Sequence, residues 1–205
     1  MRFLISSFLV FHLAFSGVAH AQAGDKASAE ILFNEGRAAA QQGNYELACE
    51  KLAESQRMDP AVGTLLNLGD CQEKLGRTAS AWATWLEAAA MARAAGQADR
   101  DAHARQRAEA LVPRLVTLTV EVPPEHRVPG LTVTRNAIVL GAALWGTAAP
   151  VDPGEYEVSA NAPGHQPWST TVSVREGTPA RLLVPRLTPE PATAVAPPPS
   201  ATPSP

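Results

Sequence analysis

The spacing of hydrophobic positions changes once along this chain, near Pro113. From residue 26 to 112, apolar and small residues recur every three or four positions, which is the period of an amphipathic helix. From residue 114 to 187, apolar residues alternate with polar ones, which is the period of a half-buried strand. The chain is therefore predicted to be an α+β protein in two domains, with a helical domain at 26–112 and a β domain at 114–187.

The helical domain contains an internal repeat with a spacing of 33 residues. Each unit is predicted to be a helix, a glycine turn and a second helix, with small residues where paired helices approach closely. Two such units leave their last face uncovered. Residues 97–115 are therefore predicted to add a capping helix that ends before Pro113. The pairs that repeat are Leu32 and Leu65, Gly36 and Gly69, Gly43 and Gly76, and Ala48 and Ala81.

The β domain consists of about five short alternating segments separated by turns rich in proline and glycine. This pattern predicts a small antiparallel sandwich or barrel. In one segment the apolar Tyr156, Val158 and Ala160 alternate with polar residues between two Pro-Gly turns. The preceding hairpin has Asn136-Ala137 where a glycine is usual, so its turn type stays open.

Both ends of the chain have a composition unlike that of a folded domain. Residues 1–21 combine a positive start, an apolar core and an Ala19-His20-Ala21 motif, which predicts a signal peptide cleaved after Ala21. The alternative is an uncleaved anchor. Residues 188–205 contain seven prolines and almost no large apolar side chain, which predicts a disordered tail. The protein is therefore expected to be periplasmic or secreted, with no transmembrane segment after cleavage.

The helical repeat resembles the tetratricopeptide repeat (TPR) family, although it departs from the family's pattern at Glu35, Ala39, Gln72 and Arg93, the last of which stands where proline is usual. The resemblance implies an array of helical hairpins whose groove binds a peptide or protein segment. The first unit matches the pattern at Leu32, Gly36, Ala48, Leu52 and Pro60, and the second at Leu65, Leu68, Gly69, Ala81 and Trp85.

The segment 153–168, "PGEYEVSANAPGHQPW", resembles the PEGA family of small bacterial β modules. Family members share a Pro-Gly turn, a Tyr- or His-x-Val strand and an Ala-Pro-Gly-x-x-x-Trp continuation, which are present here, whereas the family's literal four-letter signature is absent. The resemblance covers about residues 114–187 and implies a PEGA-like β-sandwich. A TPR array followed by such a module suggests a protein of the bacterial envelope.

Two cysteines, Cys49 and Cys71, fall on the second helix of the first repeat and the first helix of the second. The TPR resemblance implies that these helices are packed neighbours. Because an exported protein folds in an oxidising compartment, the pair is predicted to form a disulfide. The alternative is a pair of buried thiols that act as small hydrophobic residues.

Composition gives no support for catalysis or for nucleic-acid binding. The formal net charge of −3 over 205 residues provides no attraction to nucleic acid or to an anionic membrane. The chain has none of the common catalytic motifs, and its cysteines and histidines lack the spacing of a zinc site. We therefore expect no enzymatic activity, no cofactor and no metal. The histidines beyond the leader are His103, His126 and His165.

The TPR resemblance also implies a set of partner-binding residues, because the first helix of each repeat lines the groove. Phe33 and Arg37 stand where some members carry the Lys and Asn of a carboxylate clamp, so a clamp is not expected. An apolar pair, Phe33 and Leu66, suits an amphipathic or extended peptide instead. The alternative is that this pair packs only within the protein. The predicted groove residues are Phe33, Arg37, Gln41, Leu66, Asn67, Asp70 and Lys74.

The predicted function is that of a non-enzymatic periplasmic or secreted scaffold that holds a protein or peptide segment in its helical groove. An alternative is a cell-envelope module whose β domain binds peptidoglycan or another glycan. Trp145 and Trp168 would then supply stacking surfaces, although both also suit a role in the core.

Overall fold

A computed structural model describes residues 18–191, and its contacts divide the chain into two compact units with the boundary between Ala110 and Leu111. Five helices lie in the first unit and two β-sheets in the second, so the described chain is α+β in two parts. Residues 1–17 of the predicted leader and residues 192–205 of the predicted tail lie outside the described residues. In the described part, no helix has the length and apolar character needed to cross a membrane.

The helical unit is built from two packed helix pairs and a fifth helix. Helix α1 packs on α2, α3 packs on α4, and α2 joins the pairs by packing on α3. The turns after α1, α3 and α4 contain Gly43, Gly76 and Gly96, each with a φ near +70° that only glycine adopts without strain. The helices are α1 (Val18–Gln41), α2 (Tyr45–Met58), α3 (Val62–Lys74), α4 (Thr78–Ala94) and α5 (Ala98–Leu111).

The 33-residue repeat appears in the structure as the same contact in both helix pairs, between a glycine of the first helix and a large side chain of the second. A methyl group on Gly36 would come within 2.8 Å of Leu52 Cγ, and one on Gly69 within 2.7 Å of Trp85 Cε2. Both distances are too short for carbon atoms in contact. The two helices of each pair therefore come closest at a glycine of the first helix, and a large side chain of the second helix occupies the space that a side chain at the glycine would need.

The predicted disulfide is confirmed: Cys49 of α2 is bonded to Cys71 of α3. Both residues are buried in a cluster with Ala48, Leu52 and Leu68. The bond therefore joins the two helix pairs through the interior of the helical unit.

Helix α5 begins at Ala98 and ends at Leu111, followed by a 3-10 turn at Val112–Arg114 that contains Pro113. In its first turn Asp101 accepts hydrogen bonds from Arg105, at 2.7 Å, and from Arg93 of α4, at 3.3 Å. These arginines, Arg105 foremost, lower the pKa of Asp101 to about 2. Charge pairing therefore joins the start of α5 to the end of α4.

The β unit consists of two sheets. The three-stranded sheet has the order β4-β1-β7 and the four-stranded sheet the order β3-β2-β5-β6. The prediction of a wholly antiparallel sandwich is wrong for the first sheet, because β1 and β7 run parallel. The strands are β1 (Val116–Glu121), β2 (Thr132–Arg135), β3 (Ile138–Val139), β4 (Ala148–Val151), β5 (Gly154–Asn161), β6 (Trp168–Val174) and β7 (Ala180–Leu183).

The β core is formed by side chains from both sheets. In β5 the predicted alternation is present, with Val158 and Ala160 buried and Glu155 and Glu157 exposed. Residues such as Val116 and Leu118 of β1 share one hydrophobic cluster with Val158. The apolar faces of the strands therefore meet in a single core.

The described chain continues past residue 187 in contact with the β unit. The amide of Gln166 donates to the carbonyl of Thr188 at 2.8 Å, and the amide of Glu190 donates to that of Gly164 at 2.9 Å. Backbone hydrogen bonds therefore hold the first residues of the predicted tail.

The β2–β3 hairpin has both turn residues in the left-handed region, with φ of 48° at Asn136 and 63° at Ala137. Asn136 Oδ1 accepts from the amide of Glu157 at 2.9 Å, and the Asn136 amide donates to the Glu157 carbonyl at 2.8 Å. These bonds to β5 hold the turn in a conformation that alanine adopts at a cost of about 1–2 kcal/mol.

We expect Ala137→Gly to stabilise the β unit by about 1 kcal/mol, because glycine removes the left-handed strain at a small cost in chain entropy. Native-state hydrogen exchange of the β5 amides measures the unfolding free energy of this unit. Ala143→Gly is the control, since Ala143 lies in a 3-10 turn without positive φ. A destabilised Ala137→Gly protein would contradict the strain.

Replacing both cysteines, Cys49→Ala with Cys71→Ala, is expected to lower the unfolding free energy of the helical unit by about 3 kcal/mol. The reason is that the bond closes a loop across a sequence separation of 22 residues. Hydrogen exchange of the α2 and α3 amides checks the loss, and unmodified protein in reductant is the control. Full alkylation of both thiols in native protein without reductant would contradict the bond itself.

Candidate functional site

The predicted groove residues lie on two helices that contact each other, α1 and α3. On each helix they recur at about four-residue intervals, which places them along one stripe. We call these two stripes together the α1–α3 face. Its α1 residues are Phe33, Arg37 and Gln41, and its α3 residues are Leu66, Asn67, Asp70 and Lys74.

Phe33 has a double position, at the face and at the core. Its half-buried ring packs against the cluster that contains the disulfide, while the Arg37 guanidinium lies 5.6 Å from the ring centroid. Arg37 itself is exposed. Phe33 therefore contributes to the stability of the helical unit and still presents part of its ring with a cation on it.

The α3 stripe contains one apolar side chain and polar side chains, one of which is hydrogen-bonded within the helix. Leu66 is half-buried, and the Asn67 amide donates to the Gly63 carbonyl one turn earlier, at 2.8 Å. Lys74 is exposed at the end of α3, and Gln41 is exposed at the end of α1. Leu66 and the exposed ends of the two helices are therefore open to a partner.

Arg107 of α5 forms a hydrogen bond to Asp70, one of the α3 residues of the face. Its guanidinium donates to Glu73 at 2.8 Å and to Asp70 at 3.3 Å, and it lies 4.9 Å from the centroid of the Trp85 ring. Glu73 also accepts the indole N–H of buried Trp85, at 2.6 Å. One arginine therefore pairs with both carboxylates, which leaves one net negative charge among the three groups, and it links α5 to α3 beside the predicted groove.

The carboxyl-terminal end of the α1–α3 face has one more positive than negative charge, because it carries the cations Arg37, Lys74 and Arg107 and the carboxylates Asp70 and Glu73. Among the described residues, no carboxylate lies within ion-pair distance of Arg37 or Lys74, whereas Asp70 is paired with Arg107. An exposed cation without a partner can attract an anionic group from another molecule.

A small cavity of about 120 Å³ lies at the other end of the face. Glu30 and Phe33 line it from α1, Gly63 from α3, and Asp59 from the loop between α2 and α3. The cavity thus has two carboxylates, Glu30 and Asp59, whereas the opposite end of the face has the exposed cations Arg37 and Lys74. The face therefore runs from an acidic end, past Phe33 and Leu66, to a basic end.

The sequence did not single out Arg107, Glu73, Glu30 or Asp59. The repeat gave no signal for Glu73, because the equivalent position of the first unit is Ala40. For Arg107 there was a signal: it lies one position before Ala108 on the predicted capping helix, so it stands beside the buried stripe of that helix.

The aromatic residues of the β unit are engaged in the fold. Trp145 and Trp168 are half-buried against the core, and the Trp145 N–H donates to the Leu140 carbonyl at 3.0 Å. The Tyr156 hydroxyl donates to the Asp152 carbonyl at 2.7 Å, and burial raises the pKa of Tyr156. Part of each tryptophan ring is therefore covered by the protein itself.

Within residues 18–191 as described, no three His, Cys, Asp or Glu side chains come together in a group able to hold a metal ion. Nδ1 of His126 lies 2.8 Å from the Val184 carbonyl, and Nδ1 of His165 lies 2.9 Å from the Pro163 carbonyl. Both rings are therefore tied to backbone oxygens of the β unit.

Glu73→Ala is expected to lower the unfolding free energy of the helical unit by about 2 kcal/mol, because it leaves the buried Trp85 N–H without its acceptor. Glu73→Gln keeps an amide oxygen there and should cost less than half as much. Hydrogen exchange of the α3 and α4 amides, measured as a function of urea concentration, gives the unfolding free energy of both variants. Glu87→Ala, at an exposed α4 position, is the control. Equal losses for the Ala and Gln variants would show that the acceptor is not what matters.

A comparison with protein-family models finds none that matches the chain, and a comparison with curated proteins finds no significant similarity. The functional interpretation therefore depends on the residues described above and on their geometry.

Proposed function

We propose that the protein is a non-enzymatic scaffold of the bacterial envelope, periplasmic or secreted, whose α1–α3 face holds a segment of another protein. The TPR resemblance of the helical unit and the PEGA resemblance of the β unit support this function. The Cys49–Cys71 disulfide is compatible with an oxidising compartment outside the cytoplasm.

The observation that carries the proposal is the order of side chains along the α1–α3 face. A half-buried apolar pair, Phe33 and Leu66, lies between an acidic cavity at Glu30 and Asp59 and the basic end of the face. Apolar contacts supply affinity, and charges of opposite sign at two ends fix the direction in which a segment lies. The segment that fits has a central apolar residue, a basic residue toward Glu30, and an acidic residue toward Arg37 and Lys74.

The alternative is a glycan-binding function of the β unit through Trp145 and Trp168. Sugars stack on exposed ring faces, and here Arg127 lies 5.5 Å from the Trp145 ring centroid while the core covers part of both rings. The α1–α3 face has more exposed side chains without a partner among the described residues than these two rings provide. Protein binding is therefore the function that we favour.

Peptides selected from a displayed random library against the full chain test the proposal. We expect them to contain an apolar residue flanked by charges, and to lose at least about tenfold in affinity to Leu66→Ala, because the variant removes a central apolar contact. Arg37→Ala should weaken peptides that carry an acidic residue. Isothermal titration calorimetry measures both effects.

Ile31→Ala is the matched control, since Ile31 is an exposed apolar residue of α1 that lies outside the stripe of the face. To test the contribution of Phe33 to binding, Phe33→Leu is used in place of Phe33→Ala, because the Phe33 ring also packs on the core and its complete removal would affect folding. Peptides that bind Leu66→Ala as tightly as the native chain would contradict the proposed face. Retention of the native chain, but not of Trp168→Ala, by isolated peptidoglycan would favour the glycan alternative.

A further inference from the structure

The β unit exposes an apolar loop that the proposed function does not use. Between Arg135 and Asp152 no residue carries a charge. This stretch contains Ile138 and Val139 of β3, exposed by 74% and 65%, and Leu144, exposed by 46%. No other large hydrophobic side chain among the described residues is as exposed as Ile138 and Val139. Three such side chains within one short uncharged segment make this loop a candidate interaction surface.

The rim of this loop carries two arginines stacked on aromatic rings. Arg127 lies 5.5 Å from the centroid of the Trp145 ring, and Arg135 lies 5.8 Å from that of Tyr156. Two carboxylates belong to the same surroundings: that of exposed Glu157, whose amide bonds to Asn136 in the hairpin turn, and that of Asp152, whose charge acts on Tyr156. The rim is therefore polar, amphipathic and close to neutral, around an apolar tip.

The loop is poorly suited to binding another protein. Strand β3 has only two residues, Ile138 and Val139, and both pair with β2, so its open edge is too short for strand addition. Stable protein interfaces bury about 800 Å² on each partner. Three side chains offer on the order of a few hundred Å².

We propose that this loop docks the protein on the surface of a lipid bilayer. Ile138, Val139 and Leu144 enter the boundary between headgroups and acyl chains, where no exact partner shape is required. Trp145 and the two rim arginines lie at headgroup level, where amphipathic aromatic rings and arginine side chains are favoured. Because the two rim arginines are offset by Glu157 and Asp152, apolar insertion supplies most of the binding, and the charge of the lipid supplies little.

Flotation of the purified full chain with phosphatidylcholine vesicles, with and without phosphatidylglycerol, tests this docking. We expect similar binding to both vesicle types and little release by salt. The variant Ile138→Asn with Val139→Thr and Leu144→Gln should lose at least about tenfold in partitioning. Leu183→Gln, at an exposed apolar residue of β7 in the same unit, is the matched control and should bind like the native chain.

A polarity-sensitive fluorophore provides a second readout that does not depend on the folding of the triple variant. Attached at Val139→Cys, it should shift its emission to shorter wavelength when vesicles are added, whereas the same label at Leu183→Cys should not. Absence of flotation together with an unshifted label at residue 139 would overturn the proposal. So would a dimer, seen by sedimentation, that the triple variant abolishes, because the loop would then join two copies of the chain. Both results leave peptide binding at the α1–α3 face untouched, so the two proposals fail independently.

Discussion

The close approach of paired helices at Gly36 and Gly69 is the constraint on which the helical unit depends. At each glycine the space of the missing side chain is taken by a large residue of the second helix, Leu52 in one pair and Trp85 in the other. The same contact made twice gives the two helix pairs the same internal packing. The Cys49–Cys71 bond then joins one pair to the next through the core. Because α1 and α3 occupy equivalent places in their pairs, their outward stripes combine into one face.

The electrostatics of that face follow from the burial of Trp85. A buried indole N–H needs an acceptor, and Glu73 supplies it; the carboxylate in turn needs a cation, and Arg107 of α5 supplies that. Arg107 also bonds to Asp70, and the nearby cations Arg37 and Lys74 have no ion-pair partner among the described residues, so they remain for a partner. A requirement of the core thus determines which charges of the proposed binding face stay available.

The sequence predicted the parts of the structure that depend on local spacing. The change of period near Pro113 and the positions of α1 and α3 residues follow from side chains within a few turns of each other, and the 33-residue repeat follows from the likeness of two such segments. It did not predict that β1 and β7 are parallel, because a strand alternates in the same way whichever direction its neighbour runs. Nor did it predict the left-handed Ala137, which bonds between Asn136 and a strand 21 residues away impose. The Arg107–Glu73 pair spans 34 residues, and Glu73 has no counterpart in the first repeat, so the periodic pattern placed Arg107 beside a buried stripe but did not identify its partner.

The central claim is that the α1–α3 face holds a segment of another protein, and site-specific photo-crosslinking in intact cells tests it most directly. A photoreactive residue is placed at Gln41 or Lys74, which are exposed on the face, and at Glu50 or Glu87, which are exposed on α2 and α4. The proposed function predicts one discrete crosslinked partner from positions 41 and 74, absent from positions 50 and 87 and reduced by Leu66→Ala. Crosslinks of equal yield from all four positions, or none from 41 and 74, would contradict it.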